Sequence, residues 1–268
     1  RGADEILQGL LSKTGSTPAV RMRTLAALGG RYLESRQYDR ARPLLEELAA
    51  GERTPQNLTL AAEAQLGSGE YRGAANNFSE ALKLQGVDSC RATAGRAKAS
   101  LRLEAADRFG ADTRWLASRC ATWKGYPGVM LEKGAMEAEA GRCYEAAATL
   151  GELQRRNPGT AEAAEAGFYI ALCDLKRGGY QEAAGKLESF IAAAPQSAVL
   201  PQAYFKLASA QYASGNLNLA AKHYALAAES AKDPELAFMA WKNLGGVYQQ
   251  LEKWSDAAST WQKLVETY

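Results

Sequence analysis

Among 268 residues there is one histidine, His223, and there are eight prolines, four cysteines and no long apolar run. Each scarcity removes a class of function. A single histidine with no Glu or Cys at metal-ligand spacing gives no protein-only zinc site and no histidine base. Cys90, Cys120, Cys143 and Cys173 form no Cys-x-x-Cys, so the common metal and redox motifs are missing too. Charges and glycines break every apolar stretch well before it could span a bilayer. With 32 basic and 30 acidic residues the net charge is +2, and no Lys/Arg-dense segment carries interleaved aromatics, which argues against a nucleic-acid partner. No strand pattern is present on which a phosphate-binding glycine loop could sit. Carboxylate pairs such as Glu46-Glu47 and Glu137 with Glu139 fall in helix-like stretches, where a solvated face explains them. The expectation is a protein that is no enzyme and has no cofactor.

Leu, Ala, Glu, Lys and Gln dominate, and the prolines stand between periodic stretches, so helices are expected throughout. A Tyr-x-x-Ala spacing recurs: Tyr38 with Ala41, Tyr71 with Ala74, Tyr144 with Ala147 and Tyr180 with Ala183, continued by Leu217 with Ala220 and Trp254 with Ala257. Successive pairs lie 33, 73, 36, 37 and 37 residues apart. The doubled interval predicts one degenerate copy between Tyr71 and Tyr144, and Leu103 with Ala106 is the candidate. A repeat of this length is one small unit that buries its apolar side only against its neighbours.

Aligned on the recurring alanine, the last copy reads Trp241, Leu244, Gly245, Tyr248, Trp254, Ala257, Trp261 and Leu264. The first reads Leu25, Leu28, Gly29, Tyr32, Tyr38, Ala41, Leu45 and Leu48. This unit resembles the tetratricopeptide repeat, a pair of antiparallel helices. The resemblance implies an all-α, right-handed superhelical α-solenoid of about seven pairs, one of them degenerate. It would consist of an N-terminal helix or cap over 1–21, two units over 22–88, the degenerate unit over 89–127 and four units over 128–268, as one continuous solenoid. The 89–127 stretch, with its Trp115, Trp123 and Tyr126 cluster, is expected to be irregular. The loops Asn157-Pro158-Gly159-Thr160 and Pro195-Gln196-Ser197 are similar to those of bacterial envelope repeat proteins, the Tol-Pal-associated and outer-membrane assembly lipoprotein types. The sequence opens Arg1-Gly2 without Met and reaches Tyr268 inside a helix-like stretch. A piece or mature form of a longer chain is expected, with any lipid anchor outside this segment.

In an antiparallel hairpin the start of the first helix lies beside the end of the second, which would bring Cys90 to Cys120; Cys143 at a turn could likewise approach Cys173 in the next unit. Two disulfides in an oxidising compartment, or four small buried thiols in a reducing one, both fit these positions.

The resemblance also places a protein or peptide partner on the concave face made by the first helices. The positions there are Arg23, Ala26, Leu33, Glu34, Gln56, Thr59 and Glu63 in the first half. In the second half they are Phe168, Leu172, Leu175 and Lys176, then Gln202, Phe205, Ser209 and Tyr212, then Met239, Lys242, Gln249 and Gln250. Phe168, Leu172 and Phe205 equally suit packing against the following unit. The implied function is a non-enzymatic scaffold that binds a peptide or helix, in a periplasmic or outer-membrane-associated complex. The alternatives are a cytoplasmic adaptor or regulatory module, or the substrate-selecting arm of an enzyme catalysing elsewhere in its chain.

Overall fold

A computed structural model describes residues 2–12 and 17–267. Arg1, part of the expected 1–21 cap and the terminal Tyr268 lie outside the described residues. Among the described residues all regular structure is helical, in fifteen helices, and the chain divides into two compact units, residues 1–129 and 130–268. In the first, α1 (Gly2–Ser12) precedes three pairs: α2 (Pro18–Glu34) with α3 (Tyr38–Gly51), α4 (Pro55–Gly67) with α5 (Tyr71–Ala81), and α6 (Ser89–Arg102) with α7 (Ala106–Arg119). The division falls within α8 (Tyr126–Glu139). In the second, α8 pairs with α9 (Cys143–Arg156), α10 (Ala161–Lys176) with α11 (Tyr180–Ala193), α12 (Leu200–Ala213) with α13 (Leu217–Ser230), and α14 (Pro234–Gln250) with α15 (Trp254–Thr267).

Most first helices start differently from second helices, α12 being an exception with no side-chain cap. Thr17, Thr54, Asp88, Thr160 and Asp233 cap first helices through their side chains, and Pro18, Pro55 and Pro234 occupy the first turn, where the missing N–H has no helical partner to lose. Second helices α3, α5, α7, α9, α11 and α13 have no side-chain cap. They are launched from a tight turn whose geometry repeats in every pair. One residue per turn has positive φ: Arg36, Gly69, Glu104, Gly141, Gly178, Gly215 and Glu252. The following N–H bonds back to the carbonyl five residues earlier at 2.8–2.9 Å, as in Gln37 N to Tyr32 O and Lys253 N to Tyr248 O, closing the C-terminus of the first helix.

These turns give a register that the Tyr-x-x-Ala spacing approximates. Two assignments change. In α9 the buried alanine is Ala146, with Ala147 exposed, so the pair is Cys143 with Ala146 rather than Tyr144 with Ala147. Tyr144 is 87% exposed, because it faces away from the partner helix. In the degenerate unit the pair is Ala106 with Phe109; Leu103 is the C-cap of α6. The 89–127 stretch is therefore a helix pair in register. Its first helix is rich in small residues (Ala92, Ala94, Gly95, Ala97, Ala99), with Gly95 facing the Phe78 ring of α5, and Phe109 is buried in the slot that holds alanine elsewhere.

Small-to-large contacts hold each pair together. A Cβ added to Gly29 would sit 2.7 Å from Leu45 Cδ2, one on Gly134 would meet Leu150, and one on Gly245 would lie 2.6 Å from Trp261 Cε2. Leu45 and Leu150 are fully buried, so the second helix approaches only because the first lacks a side chain at that point.

Both cysteine pairs are bonded. Cys90–Cys120 joins the start of α6 to the end of α7, with Cα atoms 5.8 Å apart. Cys143–Cys173 joins the start of α9 to α10 of the next pair at 5.4 Å. In the first unit the residue at the Cys143 position, Tyr38, packs its ring against Gly67 of the next first helix. The second disulfide replaces that aromatic contact with a covalent one.

Candidate partner-binding face

Four residues before each left-handed turn residue, the first helix turns a side chain toward its second helix. At the ends of the series this is Tyr32 and Tyr248; between them it is Gln65, Ser100, Glu137, Asp174 and Gln211, all buried. Asn77 Nδ2 donates to Gln65 Oε1 at 2.9 Å, and His223 Nδ1 donates to Gln211 Oε1 at 2.7 Å. Lys186 and Arg177 both pair with Asp174. Lys133 links Glu137 to Thr149, with both contacts at 2.6 Å. The Ser100 hydroxyl and one carboxylate oxygen of Glu137, Oε2, have no partner; Asp112, which faces the Ser100 position, takes Arg96 at 2.6 and 3.0 Å. These polar pairs are tied up inside the hairpins, so they serve packing and leave the face of the first helices to carry any binding.

In the first unit most of that face is occupied by its own contacts, while Arg23 and Glu34 are exposed. Arg91 forks onto Glu63 at 2.5 and 2.6 Å, Gln56 donates to Gly86 O, Thr59 is buried on Pro55 O, and Ala26 and Leu33 pack on the core.

The second unit differs, and its twelve anticipated residues separate into groups. Phe168 is buried against Phe190, ring centres 5.8 Å apart, and Leu172 and Leu175 pack on the same cluster. Lys176 Nζ donates to the Ala138 and Glu139 carbonyls at 2.7 and 2.9 Å, which caps α8 and sets its positive charge at the negative end of that helix. Phe205, half-buried, meets Tyr224 edge-on at 5.4 Å, and Ser209 Oγ lies 3.1 Å from the Tyr224 hydroxyl. Burial pushes the Tyr224 hydroxyl pKa up, against hydrogen bonds from Ser209 and Asn243 that lower it. Burial, then Glu165 and Glu139, push Tyr169 up to about 12. Neither phenol is poised for proton transfer near neutral pH.

Tyr212 is 41% exposed and Met239 40%, with Lys242, Gln249 and Gln250 exposed beside them in sequence. Gln250 Nε2 donates to the Tyr212 hydroxyl, bridging α14 to α12. Gln202 stands apart near the N-terminus of α12, where its Oε1 is buried without a partner. Thus Phe205, Ser209 and Tyr212 of α12 with Met239, Lys242, Gln249 and Gln250 of α14 remain as a face, while Phe168 and Lys176 are committed to the fold. Sequence reasoning did not find the contribution of Tyr224, because a large residue at that position reads only as packing.

Among the described residues no group of three His, Cys, Asp or Glu is placed to hold a metal ion, and no helix is long and apolar enough to cross a membrane.

Residues 165–197, most of α10 and α11 with the loop after them, match the family model described as Tetratricopeptide repeat. The fold is a tetratricopeptide-repeat solenoid. Three solved tetratricopeptide-type structures show the likeness along most of the chain. A tetratricopeptide repeat protein from Parabacteroides merdae is 14% identical, with 92% of this chain and 94% of that one covered and a TM-score of 0.61. PilW, described as a widely conserved type IV pilus biogenesis factor, is 17% identical over 81% of this chain and 96% of its own, with a TM-score of 0.63. PilF of Pseudomonas aeruginosa is 16% identical over 92% of both chains, with a TM-score of 0.51. At these identities the likeness is one of fold. No curated protein matches the chain in sequence.

Proposed function

We propose that the protein is a non-catalytic scaffold that holds an extended or helical segment of another protein along the first helices of its second unit, in an oxidising compartment of a bacterial envelope. The observation that carries this reading is the strip on α12 and α14. Tyr212 and Met239 are large, lie on first helices and are 41% and 40% exposed, whereas Leu175, at the Tyr212 position one repeat earlier, packs on the core. Exposed aromatic and Met side chains flanked by amides and one lysine suit an amphipathic segment, since aromatics and Met supply contact area while the polar groups fix register.

The two disulfides favour an extracytoplasmic setting, because such bonds persist in oxidising compartments and are rare in a reducing cytosol. The likeness to PilW, a pilus biogenesis factor, agrees with an envelope role. Lipid attachment outside this segment belongs to the same reading. Affinity capture with the intact protein, comparing wild type with Tyr212→Ser and Met239→Ser, tests the strip. Both positions are exposed, so the fold should hold while recovery of the partner falls; equal recovery would move the site elsewhere. Phe168→Ser is unsuitable, since that ring is core.

A further inference from the structure

Eleven residues before each left-handed turn residue, successive first helices carry Leu25, Leu58, Thr93, Met130, Gly167, Tyr204 and Trp241. Gly167 alone has no side chain. In the two pairs that follow it, the position is filled by a ring. Tyr204 stacks on His223 with ring centres 6.2 Å apart and planes 11° from parallel, and Lys263 Nζ lies 4.0 Å from the centre of the Trp241 ring. Both rings pack on the cluster of Ala227, Ala228 and Ala240.

At Gly167 there is instead a hollow of about 520 Å³, open to solvent, walled by α9, α10 and α11. A Cβ added to Gly167 would meet only Gln154 Nε2, at 3.7 Å, and one added to Gly185 would find nothing within 4 Å. Phe190 takes up part of the missing volume, since the pairs on either side carry Leu153 and Ala227 at its position. Its buried ring is turned to Phe168, 5.8 Å away, and forms the floor of the hollow without closing it. Ala164, Ile170 and Ala193 complete the apolar part of the wall, and Gln154, Glu182, Lys186 and Ser189 form the polar part. Three of these four are bonded within the fold: Gln154 Nε2 donates to Ala163 O, Ser189 Oγ donates to Gly185 O, and Lys186 pairs with Asp174. Glu182 is exposed and has no partner among the described residues.

We propose that this hollow is a binding site for one aromatic ring, the tryptophan or tyrosine side chain of a partner protein, entering where Tyr204 and Trp241 bring rings of their own. The ring lies against Phe190 and the stem of Lys186, which holds the position of His223, the residue that stacks on Tyr204. Aromatic neighbours and a nearby cation favour a ring over an aliphatic group of the same size. The indole N–H or phenol O–H faces the Glu182 carboxylate, the one unpaired acceptor on the wall. The volume is within the range of ligand sites, and a wall that lacks the contacts of a close-packed interior gains by recovering them. No residue of the α12–α14 strip lines the hollow, so the site stands whether or not the strip binds.

The probes are N-acetyl-tryptophan amide and its aliphatic control N-acetyl-leucine amide, titrated at millimolar concentration into the intact isotope-labelled protein and followed by NMR. Saturating ring-current shifts of the Ile170 methyls and the Gly185 amide are expected with the first, and a response at least tenfold weaker with the second. Gly167→Tyr supplies the ring from the chain itself, and it should abolish the Ile170 response without lowering the unfolding midpoint. Gly185→Leu, at an exposed position with free space for a side chain, should block the same signals should Gly167→Tyr disturb folding. A blocked Ala-Ala-Trp-Ala-Ala peptide should bind at least as tightly as the amide; response to free indole with none to the peptide would make the occupant a small molecule and overturn the proposal. Absence of saturation, an equal response to the leucine amide, or an unchanged response in both variants would overturn it as well. Tyr212→Ser leaves the wall of the hollow intact and reports on the strip alone, so the two readings fail separately.

Discussion

Replacing Cys90 and Cys120 by alanine, or Cys143 and Cys173 by alanine, removes one covalent closure each and leaves every helix in place. Both bonds span 30 residues of sequence. In the chain-entropy account, closing a loop of that length withdraws about 12 cal/mol/K from the unfolded ensemble, or about 3.7 kcal/mol at 25 °C. The two closures should therefore cost nearly the same in the unfolded state, while their native contexts differ. Cys90–Cys120 lies within one helix pair, and Cys143–Cys173 crosses between two. A repeat array unfolds through its nearest-neighbour contacts, so loss of the second bond should loosen the α9–α10 junction specifically, with loss of the first loosening α6 and α7. Urea unfolding of each double variant against the oxidised parent gives the magnitude, and amide hydrogen exchange by mass spectrometry gives the place. Free-thiol counting in denaturant without reductant comes first: four reactive thiols in protein isolated without reduction would refute the premise. Losses under about 1 kcal/mol for both variants would refute the entropy argument.

Four further outcomes follow from the same structure. Glu104→Gly, at φ 56°, should stabilise the α6–α7 hairpin by about 0.5–1 kcal/mol, since a left-handed residue with a Cβ is strained by more than the extra freedom of glycine costs; an unchanged or lower urea midpoint would sink this. Gly29→Ala should destabilise by about 1–3 kcal/mol, because its Cβ would meet the fully buried Leu45, and thermal unfolding measures it. Burial, and then Lys222, lower the His223 pKa below its ordinary 6.5. The folded protein then binds fewer protons than the unfolded chain, so this contribution is complete above about pH 6.5 and is lost as pH falls through the folded-state value; His223→Gln should flatten that slope in urea midpoints taken between pH 7.5 and 5. Lys176→Ala should fray the end of α8, seen as faster exchange at Ala140 and Gly141, by removing the donor to the Ala138 and Glu139 carbonyls.

Residues whose chemistry is the same in every repeat were legible in the sequence. Ala41, Ala74, Ala183, Ala220 and Ala257 are small because a helix must approach there, and their spacing alone predicts helix pairs. The register slipped where a substitution preserved geometry and changed chemistry. Cys143 stands where tyrosine stands in α3, α5 and α11, and the adjacent Tyr144 drew the pattern one residue off. Phe109 stands, buried, in the slot that holds alanine elsewhere, so the size cue that marks the other copies is lost there. The face was legible only as a set of candidates. Helix periodicity says which side Phe168 and Phe205 share, but whether each is covered depends on the neighbours it meets, Phe190 for one and Tyr224 for the other.

The buried row that contains Gln65, Glu137, Asp174 and Gln211 shows the limit most clearly. What is constant there is a geometric relation, one side chain on the first helix meeting another twelve residues later. Its chemistry changes at every step, from amide with amide to carboxylate with ammonium to amide with imidazole. No residue type holds in consecutive repeats, so no pattern of letters marks it. Most of these exchanges are satisfied because both partners change together, as burial demands, since an unmet polar group at such a site costs about 1–3 kcal/mol; Ser100 Oγ and Glu137 Oε2 stay unmet. Ser100 fits the same reasoning, since Asp112 opposite it is held by Arg96 on the helix of Ser100 itself, and the small hydroxyl leaves room for that longer pair. At both ends of the row the residue is tyrosine, whose ring fills the space that elsewhere needs two polar side chains, and whose hydroxyl in Tyr32 reaches the end groups of Gln8 and Arg40. Tyrosine thus marks the ends of this row, and the interior is specified by pairs that only the folded hairpin brings together.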